Sequence, residues 1–466
     1  MDDVIFRQYD IRGLVGSELI IDQAYDLARA IVYYLKTQNK NIKTIALGMD
    51  GRTHSPALKE KVAAGIIDSG LDVQFIGTCP SPVLYFAMHT EPVDAGLMIT
   101  ASHNGKEYNG IKICLGHASV WGEQIQEIKK LFKEKKYIQT AHKGEIKNVP
   151  VIDYYVDWLA EHFKDLQGMN FAAIVDCGNG AAGAVLPQLL QKMDWSNVQL
   201  LYPEVDGNYP NHDANPTEEK NMQDLKKQVQ ESDAQIGVGL DGDVDRMAAM
   251  TKEGYLIPGD KMLGILSKSI VAQHKNAAIV FDITSSGALA DLLRARGALP
   301  VICPTGSSYI KQYMKQNKAL LGGEVSCHFF FADRYFGYDD GIYAMMRLFE
   351  QLVTGTETLT ELVAEFPRRY SSANIRIACP DDKKEAIVAG VKNYFATIPG
   401  AQIITIDGVR VMLDGSWGLV RASNTEPKIS MRFESDSLEG LQKVQHVFLS
   451  VLKNYFDDTL LKRYIQ

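Results

Sequence analysis

Three stretches of this sequence repeat one pattern, in which a short apolar run is followed by a loop of small residues and then by a longer helical segment. The apolar runs are residues 44–48, 172–176 and 278–282. Strands that alternate with helices in this way are typical of α/β units with largely parallel sheets. The sequence therefore predicts three related α/β units.

Prolines and a change in the pattern of apolar residues divide the chain further. Pro150, the Pro258-Gly259 pair and Pro367 stand at plausible linkers. After Pro367 the apolar residues alternate, as in a smaller α+β domain. We therefore predict α/β domains at 1–149, 150–255 and 256–367, and an α+β domain at 368–466.

Cap residues and apolar runs also predict individual elements. Ser55 as N-cap, with Pro56 in the first turn, begins a helix that continues to about Ser69. The other predicted elements are strands at 71–76, 95–100, 402–406 and 428–433 and a helix at about 437–455.

The composition argues against several classes of protein. Among the 466 residues, 49 Lys and Arg stand against 57 Asp and Glu, a net charge of −8, whereas nucleic-acid binders are usually basic. The apolar runs are too short for a membrane span, and the start Met1-Asp2-Asp3 lacks a signal-peptide pattern. The six scattered cysteines favour reduced thiols. We expect a cytoplasmic protein with no nucleic-acid or membrane partner.

A polar loop, residues 100–105, follows an apolar strand in the first unit. Open α/β sheets bind ligands at the carboxyl ends of their strands, so Ser102 is a candidate nucleophile. Adjacent side chains of an extended loop point apart, so the spacing alone does not make His103 the base for Ser102. A simple connecting loop would have the same composition.

Three carboxylates at alternate positions, Asp241, Asp243 and Asp245, follow an apolar strand in the second unit. They would repel one another unless they bind a cation. An EF-hand loop would need Gly and Glu where this chain has Arg246 and Lys252. We therefore expect a Mg²⁺ site with positions open for a phosphate oxygen, and the alternative is a solvated acidic turn.

Other segments carry weaker signals. Glu324, Ser326 and His328 would share one side of an extended segment, where they suit sugar hydroxyls and proton transfer. Residues 421–427 place an arginine beside hydroxyl and amide donors, as a phosphate clamp would. Ordinary turns or surface segments would explain each of them alone. In combination with the serine and the aspartates, they point to phosphoryl transfer on a polyhydroxylated phosphate in a cleft between domains.

Seven motifs occur in a fixed order along nearly the whole chain: FRQYDIRG, TASHN, YNGIKI, DGDVDR, GEVSCH, FGYDDGIY and RASNTEP. Together they resemble the α-D-phosphohexomutase superfamily, and are most similar to its bacterial phosphomannomutase/phosphoglucomutase group. The resemblance implies three related α/β domains and a smaller C-terminal α+β domain, similar to the TATA-binding protein, around a central cleft.

The resemblance also implies an activity. Such an isomerase interconverts hexose 1-phosphates and 6-phosphates of mannose, glucose or both, through a phosphoserine and a hexose 1,6-bisphosphate such as glucose 1,6-bisphosphate. Ser102 would carry the phosphoryl group and would bind Mg²⁺ together with Asp241, Asp243 and Asp245. The small-molecule partner would be a sugar phosphate, and the protein would be a monomer or homodimer.

The remaining site residues follow from the same resemblance. Arg12, Lys112 and His328 are candidates for proton transfer or charge stabilisation, with no division among them. The other matches are Glu324 and Ser326 for the sugar hydroxyls, Arg421, Ser423, Asn424 and Thr425 for the distant phosphate, and Arg7, Tyr9, His103 and Arg246 around the phosphoserine.

Three positions depart from the family pattern. Thr284 and Ser307 stand where these relatives carry Lys and His, which leaves the acid/base assignment open. Cys327 stands where Gly is usual, and it adds a possible oxidation site.

Three rival functions remain. Phosphoglucosamine mutases usually have the sequence Arg-Pro-Ser-Gly-Thr in the phosphate clamp, whereas residues 421–425 of this chain are Arg-Ala-Ser-Asn-Thr. A Mg²⁺-dependent sugar phosphatase would release phosphate and would not need the clamp. A sugar-phosphate binder without catalysis would need neither Ser102 nor the three aspartates.

Overall fold

A computed structural model of the chain describes residues 1–423 and 427–462. The chain forms two compact units. The first comprises residues 1–266 and 326–362, and the second comprises residues 267–325 and the described residues from 363 onward.

The first unit contains a seven-stranded sheet. Its strands are β1 (Ile11–Leu14), β2 (Thr44–Met49), β3 (Asp72–Thr78), β4 (Ala95–Ile99), β5 (Tyr108–Leu115), β6 (Ala118–Ser119) and β7 (Ile146–Asn148). The order is β1-β5-β4-β2-β3-β7, with β6 beside β5. From β4 to β7 the neighbours are parallel, whereas β5 is antiparallel to both β1 and β4. All five residues of β4 are buried, as expected of a central strand of such a sheet.

Four helices belong to this region: α1 (Ala24–Gln38), α2 (Ser55–Asp68), α3 (Ser81–Thr90) and α4 (Glu123–Lys133). The predicted helix at Ser55 is therefore present, but Ser55 as its N-cap is wrong. His54 occupies the cap position, and Ser55 is the first helical residue. The Ser55 hydroxyl donates to Asp50 at 2.7 Å instead, because a buried carboxylate competes for the donor.

A second sheet follows within the same unit. Its strands are β8 (Ala173–Asp176), β9 (Val198–Leu201), β10 (Ile236–Leu240) and β11 (Met247–Thr251), and its helices are α5 (Val151–His162), α6 (Leu186–Met193) and α7 (Gln223–Glu231). The order is β11-β10-β8-β9, with only the β10–β11 pair antiparallel. The connection within this hairpin is residues 241–246, so the acidic loop lies at the carboxyl end of a buried strand.

The next segment repeats the pattern. Its elements are α8 (Gly259–Gln273), β12 (Ala278–Asp282), α9 (Gly287–Ala295), β13 (Leu299–Cys303), α10 (Ser307–Asn317), β14 (Leu321–Gly323), β15 (Phe329–Phe331), α11 (Gly341–Thr354) and α12 (Leu359–Ala364). Within the second unit, β13, β12 and β14 pair in that order and are parallel.

The C-terminal region carries an antiparallel sheet and three helices. They are β16 (Tyr370–Ser371), β17 (Ile375–Ala378), α13 (Asp381–Phe395), β18 (Gln402–Ile404), β19 (Val409–Leu413), β20 (Ser416–Ala422), β21 (Lys428–Ser435), α14 (Leu438–Leu452) and α15 (Asp458–Lys462). The sheet order is β16-β21-β20-β19-β18, with β17 also beside β21. Phe395 and Phe433 pack on Phe448 in its core, with ring centroids 4.4 and 5.2 Å away.

The predicted fold class is confirmed, since three sheets with parallel strands and flanking helices precede a C-terminal antiparallel sheet with helices. The likeness of the last region to the TATA-binding protein stays a prediction. The predicted strand 402–406 ends two residues early, whereas strand 428–433 extends two residues further. Within the part of the chain that the structure describes, no helix has both the length and the apolarity that a membrane span requires.

A buried carboxylate, Asp340, connects two parts of the first unit. It caps α11 by accepting a hydrogen bond from the Tyr343 amide at 2.9 Å. The Tyr155 hydroxyl of α5 donates to its two oxygens at 3.0 and 2.8 Å, and the Tyr335 hydroxyl donates at 2.8 Å. Burial raises the pKa of Asp340 to about 6. Asp340 therefore binds a proton more tightly in the folded protein than in the unfolded chain.

The substitution Asp340→Asn should change how stability depends on pH. The proton on Asp340 stabilises the folded state fully below about pH 4, and this contribution is lost as the pH rises through about 6. Asn keeps the cap without titrating. The unfolding free energy of the wild type, relative to the variant, should therefore fall by about 3 kcal/mol at most between about pH 4 and about pH 7. Urea denaturation at both pH values measures this, and an equal difference at both would contradict it.

Candidate active site

The Ser102 loop lies at the carboxyl end of β4, as the sequence predicts. Ser102 is 3% exposed, and its backbone has a positive φ of 53°. Its hydroxyl lies 3.1 Å from His103 Nδ1 and donates to Asp241 Oδ2 at 3.0 Å. The expectation that the Ser102 and His103 side chains point apart is therefore wrong, because the loop is left-handed at Ser102 rather than extended.

The acidic loop approaches the Ser102 loop very closely. A Cβ atom at Gly242 would lie 2.7 Å from the Ser102 carbonyl oxygen. No side chain fits at that distance, so glycine at this position allows the two loops to meet. The nucleophile candidate and the carboxylates, which are far apart in sequence, consequently form one site within the first unit.

Asp241, Asp243 and Asp245 form the cluster that the sequence predicts. Their ligand atoms lie within 4.8 Å of one another, and each residue is at most 3% exposed. Burial and the other two carboxylates raise the pKa of Asp241 well above its usual range. This is the electrostatic environment that a bound cation relieves.

The carboxylate oxygens divide into two sets. Some are held from outside the cluster: Asp241 Oδ1 accepts from the Arg246 amide at 3.2 Å, and Lys112 Nζ lies 2.6 Å from Oδ2 of both Asp243 and Asp245. In contrast, Asp243 Oδ1 and Asp245 Oδ1 are buried and accept no hydrogen bond from a described residue. These two atoms, with Asp241 Oδ2, offer the hard oxygen ligands that Mg²⁺ prefers. The residues present therefore fit the metal that the family pattern implies.

Lys112 supplies positive charge from the side of the cluster. Burial alone would lower the pKa of its ammonium group, but Asp243 and Asp245 raise it well above its usual range. Lys112 therefore stays charged, which suits charge stabilisation better than proton transfer. Ser81 of α3 also donates its hydroxyl to Asp243, a contact that the sequence reasoning missed.

His328 is held through both ring nitrogens. Arg246 Nε donates to His328 Nε2 at 2.9 Å, and His328 Nδ1 lies 3.1 Å from Asp339 Oδ2. An arginine can only donate, so Nε2 accepts in this network and the ring proton lies on Nδ1. The sequence reasoning gave no role to Asp339, although it lies in the motif FGYDDGIY.

His103, the residue after Ser102, is the second neighbour of the Ser102 hydroxyl. Burial, and then the positive charge of Arg246, hold the pKa of His103 well below its usual range. The ring is therefore neutral near neutral pH, and its Nδ1 can accept the proton of the Ser102 hydroxyl.

The N-terminal motif reaches the same loop. Arg12 Nη1 donates to the Asn104 side chain at 2.6 Å, and Arg12 Nε donates to Asp10 at 3.1 Å. Arg7 Nε donates to the Arg12 carbonyl at 3.1 Å. Tyr9 is half-buried in the bend between the two arginines. The structure therefore brings this cationic segment to the Ser102 loop.

The remaining candidates in the second unit form a separate network. Glu324 is buried and accepts from the Gly306 amide at 2.6 Å. Arg421 Nη2 lies 3.0 Å from Asp407 Oδ2, which also accepts from the Thr305 amide at 3.0 Å. Asp407 therefore ties the predicted clamp arginine to the turn that contacts Glu324. Asn424 and Thr425 lie outside the described residues, and Ser423 directly precedes that gap and bonds its amide to the Lys428 carbonyl at 2.9 Å.

The segment that carries Glu324, Ser326 and His328 is not extended. Residues 325 and 326 form a turn, and Cys327 has a positive φ of 68°. The expectation that the three side chains share one side is therefore wrong. Glu324 belongs to the second unit, whereas Ser326, which is half-buried, and His328 belong to the first.

The structure describes all three residues that depart from the family pattern, Thr284, Ser307 and Cys327. Thr284 bonds through its amide and its hydroxyl to Asp282, and Ser307 is the first residue of α10. Cys327 is 3% exposed, and burial raises its pKa to about 12. A buried thiol that stays protonated resists oxidation, so Cys327 does not fit the predicted oxidation site.

Sequence models of the phosphoglucomutase/phosphomannomutase family match the chain in order. They are α/β/α domain I at residues 3–139, α/β/α domain II at 153–254, α/β/α domain III at 258–370 and the C-terminal domain at 375–451. The chain belongs to the phosphoglucomutase/phosphomannomutase family. Since this family is metal-dependent, the three aspartates are its candidate metal site in this chain.

Individual members of the family are similar over nearly the whole chain. A phosphomannomutase/phosphoglucomutase of Pseudomonas syringae pv. tomato is 38% identical over 98% of this chain and 97% of its own length. A phosphoglucomutase of Neisseria gonorrhoeae is 37% identical over 97% of both chains. The crystal structure of a family protein from Burkholderia thailandensis has 32% identity and a TM-score of 0.88, covering 97% of this chain and 98% of that one. The resemblance seen in the motifs is confirmed.

Removal of one carboxylate should abolish the response of the protein to Mg²⁺. A ligand that binds the folded state stabilises it by about 2.7 kcal/mol at one hundred times its Kd. Mg²⁺ should therefore raise the Tm of the wild type but not that of Asp243→Asn, as measured by calorimetry against EDTA. Asp176→Asn is the matched control, because Asp176 is a buried carboxylate that pairs with His212 at 3.1 Å. An unchanged response in Asp243→Asn would contradict the metal site.

Proposed function

We propose that the chain is a Mg²⁺-dependent phosphohexomutase that interconverts the 1-phosphates and 6-phosphates of mannose, glucose or both. The observation that carries the proposal is the hydrogen bond from the buried Ser102 hydroxyl to Asp241, inside a cluster of three carboxylates. A nucleophile beside a metal site can carry a phosphoryl group whose charge the metal neutralises. The names of the similar family members support the same activity.

The proposed reaction begins with a phosphoryl group on Ser102. A sugar hydroxyl attacks the phosphorus, the bond from phosphorus to Ser102 Oγ breaks, and a hexose 1,6-bisphosphate forms. The proton of the sugar hydroxyl ends on Ser102 Oγ: the neutral His103 would first take up that proton and would then pass it to Ser102 Oγ, 3.1 Å away. After the bisphosphate turns over, Ser102 attacks its other phosphoryl group, and its proton returns through His103 to the departing sugar oxygen.

Charge stabilisation falls to the cations around Ser102. Bound Mg²⁺ would supply positive charge beside the transferring phosphoryl group. Lys112 adds a fixed charge at Asp243, Arg12 adds one at Asn104 of the loop, and Arg246 is held by its hydrogen bond to His328. We assign His328 to orienting Arg246 rather than to proton transfer, because its Nε2 already accepts from that arginine.

Substrate binding is assigned to the residues that the family resemblance implies. The proposed binding residues are Arg7, Tyr9, Arg246, Glu324, Ser326, Arg421, Ser423, Asn424 and Thr425. Glucose 1,6-bisphosphate would act as intermediate and as activator, since it can rephosphorylate Ser102. The domain limits predicted from the sequence, and a monomeric or homodimeric state, belong to the same proposal.

The rival functions have less support. The similar members cited above are named for mannose and glucose phosphates, not for glucosamine phosphate. A phosphatase would need no arginine clamp, whereas Arg421 is here fixed by an ion pair with Asp407. A binder without catalysis would have no use for a serine whose hydroxyl bonds to a carboxylate of this cluster.

Ser102→Ala should abolish mutase activity, with a loss of at least about 10³-fold in kcat, because the variant cannot carry a phosphoryl group. The assay follows mannose 1-phosphate, glucose 1-phosphate and glucosamine 6-phosphate with Mg²⁺ and trace glucose 1,6-bisphosphate, and records both isomer and free phosphate.

Ser69→Ala is the matched control for this assay. Ser69 is a buried serine of the same region whose hydroxyl bonds to the Gly65 carbonyl at 2.8 Å, so its loss should leave turnover unchanged. Phosphate release without isomer in the wild type would instead favour the phosphatase. Residual turnover of Ser102→Ala near the wild-type value would remove Ser102 from the mechanism.

A further inference from the structure

A single buried arginine holds the backbone of the Ser102 loop. Arg52 is 1% exposed and lies just beyond the carboxyl end of β2. Its five N–H groups meet five acceptors. The acceptors are Asp50 Oδ2 at 3.0 Å and the carbonyl oxygens of Ser102 (2.6 Å), Asn104 (2.7 Å), Gly105 (2.7 Å) and Tyr108 (3.0 Å). With all five donors used, Arg52 has none left for a substrate.

Asp50 is the carboxylate that holds Arg52 and Thr100 in place. Its Oδ1 accepts from the Arg52 amide at 3.0 Å and from the Ser55 hydroxyl at 2.7 Å. Its Oδ2 accepts from Arg52 Nε at 3.0 Å and from the Thr100 hydroxyl at 2.7 Å. The Thr100 oxygen in turn accepts from the Ser102 amide at 2.9 Å. Both backbone polar groups of Ser102 are therefore bound to the Asp50–Arg52 pair, directly or through Thr100.

This arrangement accounts for the conformation of Ser102. A non-glycine residue with a φ of 53° is unfavourable unless its surroundings hold it there. The same conformation places the hydroxyl within hydrogen-bond distance of both Asp241 and His103. A planar guanidinium can reach four carbonyl oxygens at once, which the compact ammonium group of a lysine cannot.

We propose that Arg52 is a positioning residue for phosphoryl transfer, which fixes the Ser102 loop so that the Ser102 hydroxyl stays aligned with the carboxylates and His103. This inference rests on the proposed function. It assigns Arg52 no contact with the substrate or with the transferring group.

The test compares Arg52→Lys and Arg52→Ala with the wild type in the full-length protein. The first readout is the rate at which Ser102 takes up a phosphoryl group from glucose 1,6-bisphosphate, followed by intact mass. The second readout is kcat and KM for glucose 1-phosphate, and the third is Tm. Because a displacement of about 1 Å can cost about 10²-fold in rate, we expect phosphorylation and kcat to fall by that order while KM changes less than about threefold.

Guanidinium rescue separates positioning from a general role in folding. A non-denaturing concentration of guanidinium chloride should restore phosphorylation of Arg52→Ala by at least about tenfold, because it can refill the cavity and bind the same carbonyls. Arg347→Lys is the matched control: Arg347 is 4% exposed and bonds to Asp333 at 2.8 Å in a region outside the site. It should lower Tm without slowing phosphorylation.

The outcomes are distinct. Failure of the wild type to take up a phosphoryl group would contradict the proposed function itself. With an active wild type, phosphorylation of Arg52→Lys within about threefold of normal, or an equal loss in Arg347→Lys at matched Tm, would overturn the role of Arg52 alone. Where Arg52→Ala does not fold, the comparison of Arg52→Lys with Arg347→Lys decides.

Discussion

Three buried carboxylates that face one another are the constraint on which the rest of the site depends. Like charges at this separation cannot all remain ionised out of water without a compensating cation. Lys112 supplies part of this positive charge through its contacts with Oδ2 of Asp243 and Asp245. The Oδ1 atoms of the same two residues are buried and accept no hydrogen bond from a described residue. These carboxylates form the candidate metal site.

Loops from two sheets meet at this site. The loops after β2 and β4 follow parallel strands of one sheet, whose carboxyl ends lie at one edge, and the loop after β10 comes from the second sheet. Each loop gives one part: Arg52, the Ser102 hydroxyl and the three clustered carboxylates. Gly242 permits the last two loops to touch at backbone distance. Lys112 on β5 and Ser81 on α3 both donate hydrogen bonds to Asp243 of the cluster.

Local patterns predicted the elements well because they depend on neighbouring residues. The strand at 278–282 was predicted at its observed limits, and the helix at Ser55 was predicted within one residue at its C-terminal end. Backbone reversals were predicted poorly. Ser102 and Cys327 both adopt positive φ, which alternation of residue types cannot reveal, and this reversed the expected relation of Ser102 to His103. Arg52 and Asp339 were missed because local patterns do not reveal their partners: Arg52 donates to a carbonyl oxygen 50 residues away, and the Asp339 carboxylate pairs with His328, 11 residues away.

The sequence by itself determined the fold class and the family, and it predicted the nucleophile and the metal ligands, because these depend on periodicity and on motifs contained within a few residues. Only the tertiary structure decided which atoms of those residues are open and which are bound. It paired His328 with Arg246 and Lys112 with two carboxylates, and it directed four donors of Arg52 to backbone carbonyl oxygens and the fifth to Asp50. These assignments depend on hydrogen bonds and burial between residues distant in sequence, since both the protonation and the direction of a polar group are set by what surrounds it in space.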